Sequence, residues 1–418
     1  MKTVSWFVAC ALAGGSLAGA AVSALAQPAH PAISVPPDIP LHHAVDAAWR
    51  RALQAREAEF QTSRARADRI AASSLSAAAP AFEANHLDDR ANSRAGRRET
   101  EVGIVWPLWL PGQRDARIAA ADADLRLADL GAEAARLRLA ATVHESAWKL
   151  ASAKAEIQAF ETQKRYLQGV ADDVQRRVTA GDLARSDALA ARAELLEAEA
   201  AERDATQRLQ ASRLQWKALT GLEAMPVVTL PSLPSLPDGA VDGEHPELRL
   251  AVQAVERARR RLDVVNRSRR DPPELSVKYR EEMPGLGEGR QRGIGVGLRI
   301  PFGTDGRNAP LQAAAAGDLD IADAGERRLR DRLEADLQTA RGAVELGVRQ
   351  FEAIRTRAAL LRERAQLIDL SFKAGETPLP ELLRAANAAA LADAAFARQQ
   401  AALGLAYAQL QQASGRFP

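Results

Sequence analysis

Apolar residues recur along this chain in two rhythms. From Gln113 onward Ile118, Leu125, Ala132 and Leu139 fall every seven residues, with Ala121, Ala128 and Ala135 on the adjoining seam. The stripe then steps by four to Val143, Leu150 and Ile157, a stutter that locally unwinds a supercoil. No proline interrupts the 110 residues from Gln113 to Leu222. One helix over 113–179 would run about 100 Å, and a helix that long is held by packing on neighbours as a coiled coil.

The second rhythm has a period of two. Leu275, Val277 and Tyr279 alternate with Glu274, Ser276, Lys278 and Arg280. Ile294, Val296, Leu298, Ile300 and Phe302 alternate with Gly293, Gly295, Gly297 and Arg299. Val102, Ile104, Trp106, Leu108 and Leu110 repeat the pattern less cleanly, with Phe82 to Leu87 as a weaker partner. One apolar face opposite polar residues or glycine fits a transmembrane barrel strand, and equally a half-buried strand of a soluble sandwich. Four such strands are too few to close a barrel or build a sandwich. Four from each of several subunits could close one shared barrel, with Trp106, Trp109, Tyr279 and Phe302 as interfacial aromatics.

Both rhythms occur twice. An ungapped offset of 194 residues aligns Val102 with Val296, Gly103 with Gly297, Pro107 with Pro301 and Gly112 with Gly306. It continues through Gly131 and Gly325, Ala180-Gly181 and Ala374-Gly375, Asp187 and Glu381, and Gly221 and Gly415. The prolines and glycines carry this alignment, because they mark breaks at equal distances in both halves. The first repeat, 41–224, reads as a helix from Leu41 to about Ala79, two strands within about 81–110, a long helix over about 113–179 and a return helix over about 185–221. A proline-rich linker, 225–245, leads to the second repeat, 246–418. There a helix to about Arg270 precedes strands within about 274–302, a long helix over about 309–373 and a return helix over about 379–414. The fold class is mainly α with a small β part.

Composition narrows the setting. Of the 418 residues, 47% are hydrophobic but only 4% aromatic, as long helices require. Lys and Arg number 56 against 54 Asp and Glu, a balance without the field that nucleic-acid binding needs. Residues 1–26 read as a secretory signal: Lys2, an apolar stretch from Trp6 to Ala21, and Ala24-Leu25-Ala26 before the cleavage point, leaving 27–40 as an N-terminal extension. Its removal would take away the one cysteine, Cys10, which lies too early for lipoprotein processing. Metal and catalytic motifs are missing. Six histidines are scattered, His42 and His43 adjacent on one helix cannot converge on one metal, and no His-Glu-x-x-His, Walker sequence or nucleophile elbow occurs. No catalytic residue, cofactor site or metal site is expected.

Several motifs now join the doubled order. Val296-Gly297-Leu298-Arg299-Ile300-Pro301-Phe302, continuing to Asp305-Gly306-Arg307-Asn308, is one. The turn Ala180-Gly181-Asp182-Leu183-Ala184-Arg185-Ser186-Asp187 and its copy Ala374-Gly375-Glu376-Thr377-Pro378-Leu379-Pro380-Glu381 are a second, and His245-Pro246-Glu247-Leu248 is a third. With these, the whole mature chain resembles the TolC-type outer-membrane efflux channel family, most closely its heavy-metal (cobalt–zinc–cadmium) subgroup. The resemblance implies a homotrimer in the outer membrane of a Gram-negative bacterium, with a 12-stranded barrel and a 12-helix periplasmic tunnel. It implies a passive exit duct for heavy-metal ions or organic toxicants, handed over by an inner-membrane pump of RND type through a periplasmic adaptor. Gly181, Asp182, Leu183, Asp187, Gly375, Glu376 and Leu379 would form the adaptor-contacting tips, and Pro107, Gly112, Pro301 and Gly306 the strand-to-helix turns. Glu381 matches the first acidic position of the family's entrance constriction, while Arg384 stands where the second acid would be. That departure predicts an altered entrance, with Glu381–Arg384 contacts within or between subunits. Asp187 and Glu381 could equally cap the returning helices. A periplasmic adaptor is the main rival, but it would split a lipoyl-like β segment around one hairpin; a purely structural coiled coil leaves the strands unexplained.

Overall fold

The structure, a computed structural model, describes residues 39–89, 95–230, 243–302 and 305–416. The expected signal sequence 1–26 with Cys10, most of the expected N-terminal extension and residues 231–242 of the linker lie outside the described residues. In chain order the elements are α1 (Leu41–Arg51), α2 (Leu53–Ala72), β1 (Ala81–Asp88), β2 (Arg98–Pro107), α3 (Gln113–Ala180) and α4 (Arg185–Thr220). They continue with α5 (Pro246–Arg267), β3 (Glu274–Met283), β4 (Gln291–Arg299), α6 (Asp305–Lys373) and α7 (Leu379–Ala413).

The 68-residue α3 is bounded by glycines in the left-handed region, Gly112 at φ +72° and Gly181 at φ +88°, a conformation that side chains resist. It packs against α2, α4, α5 and α7, while α6 packs against α5 and α7. Because α3 has neighbours on several sides, a single heptad seam does not describe its buried surface. Ile118, Leu125, Ala132 and Leu139 are only half-buried, whereas Ala116, Ala120, Ala134, Leu137, Ala140, Val143, Ala147 and Leu150 are buried. Alanine and glycine let the helices approach closely. A Cβ on Gly404 of α7 would stand 2.2 Å from the ring of Trp148 on α3.

The helix expected from Leu41 to about Ala79 departs from that reading twice. It breaks at Ala52, which is extended (φ −67°, ψ 139°), where the chain leaves the α1 seat on α3 and α4 and continues as α2 along α3. It then stops at Ala72. Beyond that end, Arg114 donates to the Ser73 carbonyl (2.6 Å), and the Trp109 indole donates to that of Ser74 (3.1 Å). The start of α5 explains the His245-Pro246-Glu247-Leu248 motif locally: His245 Nδ1 accepts the Glu247 N–H (3.2 Å), Pro246 occupies the first turn and Leu248 is buried. The long helix of the second repeat begins earlier than about 309, at Asp305, so that Pro310 lies inside it.

The four strands form one antiparallel sheet in the order β1-β2-β3-β4. Its register aligns the period-two pattern across every strand. Phe82, Ile104, Val277 and Val296 make one row; Ala84, Val102, Tyr279 and Ile294 make the next; Trp106, Leu275 and Leu298 make a third. Beyond the Tyr279 row this face turns polar at His86, Thr100, Glu281 and Arg292, while the opposite face carries the glycines and a further set of charges. There Lys278 bridges Glu83 (3.2 Å) and Glu101 (2.9 Å), and Arg280 pairs with Glu99 (3.0 Å). Gly103 is obligatory on that face, since a Cβ there would meet Lys278 at 2.7 Å.

One buried group ties the helical packing to pH. His144 of α3 is 4% exposed, its Nε2 has no hydrogen-bond partner, and it borders a small cavity with Leu137, Ala141, Leu405, Ala408, Gln409 and Gln412, none of them charged. Burial pushes its imidazole down to about 4. Between about pH 6.5 and 4 the unfolded chain takes up a proton that the folded one refuses, so stability falls as pH drops through that window. The expected loss is up to about 3 kcal/mol. Denaturation of the full chain should show it, and His144→Gln should flatten the profile; an unchanged profile contradicts the assignment.

Candidate functional site

The features singled out by the sequence gather at two places, the hairpin tips and the strand–helix junction. At the first tip Gly181 reverses the chain: its N–H reaches Val178 O (3.1 Å) and the Asp182 N–H reaches Arg177 O (2.9 Å), closing the end of α3. Ala184 is extended, and its N–H donates to Asp187 Oδ2 (3.3 Å). Asp187 therefore caps α4 from its third position.

The second tip copies the turn but not the cap. Gly375 lies at φ +81°, its N–H reaches Phe372 O (3.0 Å), and the Glu376 N–H reaches Ser371 O (3.0 Å). The residue in Ala184's place is Pro378, which has no N–H to donate, so Glu381 has nothing to cap. Its carboxylate instead lies 2.5 Å from Arg364 Nη2 on α6 and 3.4 Å from Arg384 Nη1 on its own helix. The expected Glu381–Arg384 contact thus exists within one subunit. Arg364, outside the motif, is the partner that sequence spacing does not reveal, because it faces Glu381 across the hairpin.

Beneath the tips Leu167, Val174, Leu195, Phe372, Leu379 and Leu382 form a core, and Arg177 lies over the Phe372 ring (5.1 Å). Leu379 is 3% exposed and offers a partner no side chain, whereas Asp182 and Glu376 are exposed and Leu183 is half-buried.

At the junction the four turn residues differ. Pro107 ends β2, and its carbonyl accepts the Ala77 N–H (3.1 Å). Gly112 turns the chain into α3 where a Cβ would stand 2.4 Å from Arg267 Nη1. Pro301 follows β4. Gly306, its expected partner in turning, lies inside α6 without a positive φ, because that helix starts early. Sequence reading missed Gln113: it is 2% exposed, accepts the Leu110 N–H (3.2 Å) and donates to Ser268 Oγ (2.9 Å), pinning α3 to the end of α5.

Above the junction the apolar sheet face is largely exposed, with Val102 and Leu275 half-buried. Phe82, Ile104, Val277, Ile294, Val296 and Leu298 all project from it. Trp106 stands in its lowest row and Tyr279 in its highest, where the phenol donates to Glu281 (3.3 Å). Trp109 sits below the sheet with the Arg117 guanidinium 5.2 Å over its ring. No cluster of three or more metal-ligating side chains occurs among the described residues, and none of their helices is long and apolar enough to cross a membrane.

Comparison with known proteins agrees with this geometry. The family model described as outer membrane efflux protein matches residues 47–222. Among solved structures, CusC, from work on transmembrane channel formation, superposes with TM-score 0.76 at 16% identity, covering 91% of this chain and 92% of that one. The Campylobacter jejuni CmeC outer membrane channel gives 0.73 at 16% identity, covering 90% and 85%. The outer membrane protein VceC of Vibrio cholerae gives 0.73 at 16% identity, covering 90% and 97%. No curated protein matches the sequence. The resemblance to outer-membrane efflux channels is borne out: the chain carries that family's pattern over its first repeat and has the channel fold across both.

The different tips predict different consequences of neutralisation. Asp187→Ala removes the acceptor at the start of α4 and should cost about 1 kcal/mol locally, about fivefold faster amide exchange in its first turn. Glu381→Ala removes no cap, so exchange in the first turn of α7 should stay unchanged. Equal acceleration at both tips contradicts the distinction.

Proposed function

We propose that this protein is the outer-membrane channel of a tripartite efflux system, closing as a homotrimer. The observation that carries the proposal is the sheet: in the three rows nearest the helices one face is apolar and largely exposed, the other is mainly charged, polar or glycine, and among the described residues β1 and β4 each have one neighbour. Open sheet edges cannot remain in a hydrocarbon environment. Pairing β4 of one copy with β1 of the next satisfies both, turns the apolar rows to lipid and the Glu83–Lys278–Glu101 row to the lumen. Three copies of four strands make the 12-stranded barrel, and the two hairpins of each copy make the 12-helix tunnel. Each repeat, 41–224 and 246–418, would supply one hairpin and two strands.

The helices support the same closure. Leu189 and Leu196 are exposed on α4, at distances from the first tip close to those of Leu370, Leu367 and Leu360 from the second, and these are exposed on α6. Within the chain α4 packs chiefly on α3, and α6 on α5 and α7, so in the trimer these leucines would meet between copies. The signal segment would export the chain, and the tunnel would extend into the periplasm. Its exposed tip residues Asp182 and Glu376 would meet a periplasmic adaptor linked to an inner-membrane RND pump. Cargo would be heavy-metal ions or organic toxicants, conducted passively. At the entrance, two guanidiniums on each Glu381 replace two acids, so a cation-selective ring is not what this tip supplies.

Two measurements test this. Val277→Arg puts a charge on the lipid face at a cost of about 2–4 kcal/mol near the bilayer midplane, while Ser276→Arg faces the lumen. Heat-modifiable trimers should fractionate with the outer membrane for wild type and Ser276→Arg but be depleted for Val277→Arg; soluble periplasmic recovery of wild type rejects the reading. In planar bilayers Arg384→Ala should move the reversal potential towards cations and Glu381→Gln away from them, and unchanged selectivity in both removes the entrance role.

A further inference from the structure

Where the sheet meets the helices, the second repeat does not copy the first. Gln113 is buried, and the residue 194 positions on is Arg307, which is exposed. The adjacent Asn308 donates to the Arg269 carbonyl, tying the start of α6 to the segment that enters β3. Arg270, next in that segment, is also exposed. Other arginines nearby are engaged: Arg267 with Asp263 (3.1 Å) and Arg299 with Glu274 (3.2 Å). Arg270 and Arg307 have no hydrogen-bond or ion-pair partner among the described residues. Between β4 and α6, at the foot of the apolar face, Ile300 and Phe302 are exposed, Phe302 by 90%.

We propose that Arg270 and Arg307 bind the phosphate of a phospholipid in the leaflet at the helical end of the sheet, with Ile300 and Phe302 against its acyl chains. The inference rests on the membrane reading above and adds a specific lipid contact to it. A guanidinium offers a planar fork of donors that matches phosphate oxygens two at a time. Placed just below an apolar, aromatic-edged sheet face, it lies at headgroup depth, where each such cation is worth binding energy towards anionic lipid. The link from Asn308 to Arg269 holds the two segments together, so Arg270 and Arg307 are carried by backbone that is tied side by side, and the proposal is that both reach one headgroup. Carboxylates already engage Arg267 and Arg299, which leaves this pair to take the ligand.

The test is native mass spectrometry of the full chain extracted in mild detergent and titrated with dioctanoyl phosphatidylglycerol. Wild type should retain lipid adducts, and Arg270→Gln/Arg307→Gln should lower their apparent affinity about tenfold. The control Arg327→Gln/Arg328→Gln, removing the same charge from the exposed middle of α6, should not. Dioctanoylglycerol, which lacks phosphate, should leave no adduct, and inorganic phosphate should not displace the lipid. Equal retention in both double variants overturns the proposal, as does displacement by inorganic phosphate, which would mark a free-anion site. The Arg270→Gln/Arg307→Gln variant should still reach the outer membrane as a trimer. Failure of wild type to do so would strike the membrane reading instead.

Discussion

α7 lies on α3 at a separation that a glycine permits and an alanine does not: a Cβ on Gly404 would stand 2.2 Å from the Trp148 ring. That approach joins the two halves of the chain. α7 and α5 belong to the second repeat, yet both pack on α3 of the first. With α7 held there, Leu403, Tyr407 and Leu410 close a core with Leu337 and Val344 of α6, and His144 is shut into the seam. The repeats are therefore not two domains in series but one bundle interleaved around a 68-residue spine. Alanine dominates that spine because small side chains let helix axes approach and keep many weak contacts at optimal distance.

The sheet follows from the same interleaving. β2 of the first repeat pairs with β3 of the second over Arg98–Pro107, so the two strand pairs fuse into one surface with common register. A slip of one residue in that pairing would turn every apolar side chain to the charged face. The Glu83–Lys278–Glu101 contacts and Gly103, which has no room for a Cβ, both oppose such a slip. The result is a sheet with common faces but open edges at β1 and β4, a geometry that the proposed trimer would complete.

Much of this was legible in the sequence, for local reasons. The absence of proline over 110 residues, the glycines at Gly181 and Gly375 and the period-two strands are properties of nearest neighbours along the chain. What escaped depends on distant residues. The break at Ala52 comes from a change of packing partner, not from a breaker. The buried face of α3 could not be read as one heptad stripe, because neighbours surround the helix. Gly306 matches Gly112 in the alignment, but an earlier helix start denies it the turn. Likewise Asp187 and Glu381 align, yet Pro378 removes the N–H that would make the second a cap, and Arg364 takes its carboxylate across the hairpin. Gln113 carries no signal in sequence beyond its place at the start of a helix.

In the proposed trimer the open edges β1 and β4 are completed by further copies, three closing the ring. Oxidative cross-linking in intact cells tests it most directly, with Asn85→Cys on β1 combined in turn with Gly293→Cys and Gly295→Cys on β4. These positions on the glycine-bearing face bracket the register between copies, and the one native cysteine, Cys10, is changed to serine in every variant. A closed trimer gives a ladder of monomer, dimer and trimer that stops at three. Monomer alone from both pairs, or a ladder that runs past three, would contradict it.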